Sequence, residues 1–137
     1  DAKVVIEVRV PAQVDDAAGK TEASTVLEKE DTIAIYGSNE FAAKAIINAN
    51  GGFKESKLGA DKILAVGFDS GALQQDAIRK GIFVGSVTQD PVQIGYQAVK
   101  LAIAAAKGET VKDVDTGSKW YDAKNIDSEE IKALLYE

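Results

Sequence analysis

The sequence contains no histidine and no cysteine. Without histidine the commonest general acid–base group is missing, and no ordinary Ser-His-Asp triad can form. Without cysteine there are no thiol nucleophiles or disulfides, and the two absences together exclude Cys/His zinc sites. Basic charge is also scarce: 16 Lys and Arg against 22 Asp and Glu give a formal charge of −6. Nucleic acid is therefore not an expected partner, since binding it needs a basic stripe to neutralise phosphates. No apolar run approaches the roughly 18 residues needed to cross a bilayer; the longest, Ala98 to Ala106, is broken by Lys100 and reads as a buried helix. No GxGxxG or GxxxxGK[ST] phosphate loop follows a strand, and Gly51-Gly52 ends a helix rather than opening one. The chain begins at Asp1 with no methionine, basic segment or apolar leader, so it is expected to be processed, truncated or part of something longer.

What is present is a globular composition. Of 137 residues 45% are apolar, enough for one compact domain with a core of its own. Short β-branched runs alternate with longer amphipathic ones. Lys3 to Val10 reads as a strand stopped by Pro11, and Asp15 or Asp16 caps a helix to about Glu30. Thr32 to Tyr36 is a second strand, followed by a helix capped at Ser38 or Asn39 and running to Asn48. Ile63 to Phe68 is a third strand, Gly71 to Lys80 a helix, and Ile82 to Val87 a fourth strand. Asp90-Pro91 opens a helix to Lys107; Gln93, Gln97, Lys100 and Lys107 form its one wet face, which predicts burial of the rest. A looser segment, Val111 to Asp122, has room for a fifth strand. Asp127 and Glu130 form a capping box for a last helix, Ser128 to Tyr136.

Strands separated by helices predict βαβ units in a mostly parallel sheet. Near-continuous apolar strands predict helices on both faces. The fold class is thus α/β, a Rossmann-like three-layer lobe filling residues 1–137 as a single domain. Ligands of such sheets bind at the carboxyl edge of the strands. Three loops there carry Asn39, Asp69 and Gln89. An ionised Asp accepts strong hydrogen bonds from two adjacent hydroxyls, and Asn and Gln both donate and accept, as hydroxyls do. The trio suits a sugar. Asn39 serves equally as a helix cap, whereas Asp69 and Gln89 are read as ligand groups. Asp15-Asp16 reads as a cap before a magnesium site, and Trp120-Tyr121 as core or hinge packing before a sugar stack.

Ile35-Tyr36-Gly37-Ser38-Asn39-Glu40, Val66-Gly67-Phe68-Asp69-Ser70 and Thr88-Gln89-Asp90-Pro91, then Ile94-Gly95-Tyr96, resemble type I periplasmic sugar-binding proteins. The ribose-binding branch is the nearest, and the chain corresponds to its C-terminal portion. The resemblance implies an extracytoplasmic receptor of an ABC importer, in the periplasm or as a cell-surface lipoprotein of a Gram-positive bacterium. It implies no enzyme and no cofactor. Asn39, Asp69 and Gln89 match the family's sugar hydrogen-bonding positions, and Val14 stands where the family has a stacking aromatic. The family's binding arginine would precede Asp1. Such receptors clasp a monosaccharide between two lobes, so the implied partners are the sugar, a membrane permease, and the missing N-terminal lobe or a second copy. In the family, the helix matching Pro91 to Lys107 packs on the other lobe. Two other readings compete: the effector core of a lactose-repressor-type regulator, and a response-regulator-like phospho-acceptor built on Asp15-Asp16, Asp69, Ser86 or Thr88, and Lys119.

Overall fold

The computed structural model describes residues 3–136; the chain start at Asp1 lies outside them. The elements are α1 (Asp16–Leu27), β1 (Ala34–Tyr36), α2 (Glu40–Ala49), β2 (Leu64–Phe68), α3 (Ala72–Arg79), β3 (Gly85–Gln89), α4 (Pro91–Ala106), β4 (Ser118–Tyr121) and α5 (Glu129–Lys132). The strands form one sheet in the order β1-β2-β3-β4. β1, β2 and β3 are mutually parallel, and β4 adds antiparallel to β3. The α/β class and the mostly parallel sheet are as expected.

The sequential strand order decides where the helices go. Two successive right-handed crossovers that step in one direction place both helices on one face. Accordingly α1, α2, α3 and α5 share a single core: Ala23, Leu27, Ala43, Ile46, Ile47, Ala77, Ile78 and Ile131 pack over Ala65, Phe83 and Tyr121. The opposite face carries Tyr36, Leu64 and Trp120, all exposed. Coverage of both faces, expected from the apolar strands, is thus supplied on one face only among the described residues.

α4 departs furthest from expectation. Its cap is as predicted, Asp90 accepting from the Gln93 amide at 2.9 Å. Yet none of its residues is buried, and Val92, Val99 and Ile103 are 70%, 62% and 52% exposed. Because β4 runs antiparallel to β3, α4 need not return over the sheet, and it does not dock there. Its apolar circumference therefore faces solvent instead of a core.

Lys3 to Val10 is not a strand. β-branched propensity favours an extended chain, but a strand exists only through a ladder partner, and this run has no ladder partner among the described residues. Its charges act locally, Glu7 pairing with Lys29 and Arg9. β3 starts three residues later than expected because the Ile82 and Phe83 amides both donate to the Ala77 carbonyl, at 2.9 and 3.2 Å. That turn plugs both side chains into the core beneath α3. The last helix is only one turn long. Ser128, not Asp127, caps it by accepting from the Ile131 amide, while Asp127 pairs with Arg79 at 3.3 Å. The residues beyond leave the helix to serve tertiary bonds: the Leu134 carbonyl accepts from Ser70 Oγ, and the Tyr136 carbonyl accepts from Gln75 Nε2.

Gly85 sits beneath the Trp120 ring. A Cβ there would strike the indole and come within 2.7 Å of the Tyr121 carbonyl oxygen. Gly85→Ala should force β4 away from β3 and destabilise the fold by about 1–3 kcal/mol, the usual range for overpacking. Urea unfolding checks this, and unchanged stability would mean that β4 is loosely held.

Candidate functional site

The parallel strands β1, β2 and β3 end on the same edge, and β4 begins there, with Ser118 opposite Gln89. All three sequence-predicted polar residues lie on this edge. Asn39 caps α2, its Oδ1 accepting from the Ala42 amide at 2.9 Å. That use satisfies the capping half of its reading, and the exposed side-chain NH2 has no partner among the described residues. Gln89 ends β3 with an exposed side chain.

Asp69 is the most constrained of the three. Its φ is +75°, the left-handed region, which Asp tolerates better than most residues but still visits seldom. Its amide donates to the Val87 carbonyl at 2.7 Å. Its carbonyl accepts from Tyr121 Oη at 2.7 Å, Ser86 Oγ at 3.0 Å and Gln74 Nε2 at 3.1 Å. Its Oδ2 accepts from the Glu40 amide at 3.0 Å, tying the β1–α2 loop to the β2 tip. Oδ1 has no protein donor among the described residues, and Asn39 and Gln89 on the same edge are exposed.

Val14 is 85% exposed on the segment before α1, and no hydrogen bond joins it to Asn39, Asp69 or Gln89 among the described residues. Asp15 caps α1 through the Ala18 amide at 2.8 Å, and Asp16 pairs with Lys44 at 3.0 Å. The phospho-acceptor arrangement is not assembled. Lys119 pairs with Glu130 on an antiparallel β4, whereas that fold needs a parallel fifth strand. Thr88 is buried, donating to Ser70 Oγ at 3.0 Å.

Sequence reasoning missed Gln74 and the polar role of Tyr121, and weighed Ser86 only as part of a phospho-acceptor pocket. Gln74 carried a signal: with Ala77 and Ile78 it completes the buried stripe of α3, where a polar residue needs a partner. Burial pushes the Tyr121 phenol up to about 12, so it remains a hydrogen-bond donor at any ordinary pH. Its raised value contributes stability that is whole below pH 10 and is lost as pH rises from 10 to 12. Trp120 is 44% exposed and donates to Asp122 Oδ2 at 3.2 Å.

An α/β lobe with polar loops at the carboxyl edge of a parallel sheet has the architecture in which open α/β sheets place their ligands. The model of the periplasmic binding protein domain matches residues 2–110, and the chain belongs to that family. Three solved structures show the likeness. One is described as an ABC transporter, LacI family transcriptional regulator from Brachyspira murdochii (44% identical, TM-score 0.79, 93% of this chain and 42% of that one). One is an ABC transporter solute-binding protein from Agrobacterium vitis with bound D-fucose (28%, 0.76, 90% and 42%). The third is a carbohydrate transporter solute-binding protein from Agrobacterium radiobacter in complex with D-arabinose (28%, 0.75, 88% and 40%). The chain thus spans about two fifths of the length of each. No curated protein matches it.

Proposed function

We propose that the chain is the C-terminal lobe of a monosaccharide receptor serving an ABC importer outside the cytoplasm. The sugar is held between this edge and an N-terminal lobe. Asn39, Asp69 and Gln89 supply hydrogen bonds, and Val14 lies where a stacking aromatic stands in the resembled family. The loaded receptor delivers its sugar to a membrane permease, without catalysis or cofactor. The observation that carries this reading is the free Oδ1 of Asp69 on the edge that also presents Asn39 and Gln89. Two neighbours at 28% identity hold D-fucose and D-arabinose and are transporter receptors, which favours a receptor over the regulator.

One lobe leaves half of a sugar in water, where each net hydrogen bond contributes only about 1 kcal/mol. Calorimetry with D-arabinose and D-fucose should therefore detect binding to the full-length receptor and none to residues 1–137 alone. Micromolar binding, about −8 kcal/mol, by the isolated chain would contradict the clasp. Failure of the full receptor to bind any monosaccharide would contradict the sugar.

A further inference from the structure

Three buried side chains converge on one backbone carbonyl. Gln74 is 2% exposed, and Ser86 and Tyr121 are fully buried. They come from α3, β3 and β4, three separate elements. A carbonyl oxygen has two lone pairs and is normally content with one or two donors; that of Asp69 receives three. The donors also bond to one another, Gln74 Nε2 lying 2.6 Å from Ser86 Oγ. Gln74 Nε2 also lies 3.1 Å from the Phe68 carbonyl, so its two hydrogens are shared among three acceptors, while its buried Oε1 has no partner among the described residues. Gly67 provides the room: a Cβ there would collide with the Gln74 amide and approach Ser86 Oγ to 3.1 Å.

This convergence falls on the residue whose φ is +75°. A left-handed non-glycine backbone costs free energy and persists only where its surroundings over-determine it. With the carbonyl fixed inward and the amide fixed to Val87, the side chain is directed to the edge. There Oδ2 meets the Glu40 amide and Oδ1 remains free.

We propose that Gln74, Ser86 and Tyr121 are positioning residues that hold Asp69 in its left-handed conformation and so aim its carboxylate at the ligand. The assignment rests on the ligand reading of Asp69 given above. It adds that the geometry of this carboxylate is set from the core, by a Gln–Ser–Tyr cluster that touches no ligand.

The test uses Tyr121→Phe and Gln74→Leu, with Ile126→Val as a control in the same core. The Asp69 backbone is followed by NMR, through its amide–Hα coupling and carbon shifts, which report the sign of φ. Affinity for D-arabinose and D-fucose is measured by calorimetry on the full-length receptor. Both cluster variants are expected to move Asp69 toward extended backbone. They should raise Kd by about tenfold to a hundredfold, as when groups that orient a ligating residue are lost. The binding stoichiometry should stay unchanged. A purely structural role would lower the competent fraction without moving Kd, as Ile126→Val is expected to do at most. Retention of the left-handed Asp69 in both variants, or a shifted Asp69 with unaltered Kd, would overturn the proposal. If the unmodified receptor binds neither sugar, the ligand reading fails separately, and the NMR result still decides whether the cluster sets the Asp69 conformation.

Discussion

Asp69→Ala is expected to abolish sugar binding by the two-lobed receptor. The carboxylate would accept charge-assisted bonds from hydroxyls that domain closure removes from water, and these are about twice as strong as neutral ones. Its removal leaves those hydroxyls buried and unpaired, at roughly 1–3 kcal/mol each. Two such losses correspond to about a thousandfold in Kd at 1.4 kcal/mol per decade. Alanine also forfeits the acceptor for the Glu40 amide, which pins the β1–α2 loop, and tolerates a φ of +75° less well than aspartate. Asp69→Asn should fall between, because it keeps one acceptor and the left-handed tolerance while losing the charge. Calorimetric titration with D-arabinose and D-fucose distinguishes the three proteins, and equal affinity for wild type and Asp69→Ala would remove Asp69 from the site.

Residues 1–137 alone are expected to self-associate. α4 exposes Val92, Ile94, Tyr96, Val99 and Ile103, and the open face of the sheet exposes Tyr36, Leu64 and Trp120. Burying one apolar side chain stabilises by about 1.5–3 kcal/mol, so covering α4 alone is worth on the order of 10 kcal/mol before association costs. That is comparable to the −8 kcal/mol of a micromolar complex, and apolar surface of this extent seeks a partner. Light scattering should find dimers or larger species at high micromolar concentration, and a double substitution Val99→Lys and Ile103→Lys should return the chain to monomer. A wild-type monomer under the same conditions would show that α4 needs no cover.

The division between what was legible in the sequence and what was not follows the reach of each interaction. Asp15, Asn39 and Asp90 were readable as caps because capping acts across three residues. The α2 terminus at Gly51-Gly52 was readable for the same reason. Lys3 to Val10 was misread as a strand, and α4, read correctly in span and cap, was misread in its burial, because both carry the composition of buried elements and composition does not reveal whether a neighbour is present. The start of β3 was misread because Ile82 and Phe83 are as β-prone as the strand that follows, and only the bond to the Ala77 carbonyl makes them a turn. The strand-tip trio was legible because parallel topology alone puts successive strand ends on one edge. The cluster behind Asp69 was not, since Gln74, Ser86 and Tyr121 meet across up to 47 positions of sequence, and only the burial of Gln74 within an apolar stripe hinted at it.

Monosaccharide binding at this edge is open to direct measurement. Its most direct test is NMR of the full-length receptor labelled at its asparagine and glutamine side-chain amides, titrated with D-arabinose and D-fucose. The Asn39 and Gln89 side-chain NH2 signals should shift with at least one of the sugars, together with the Asp69 backbone amide. Binding that leaves all three unmoved, or saturating sugar that moves nothing, would contradict the account.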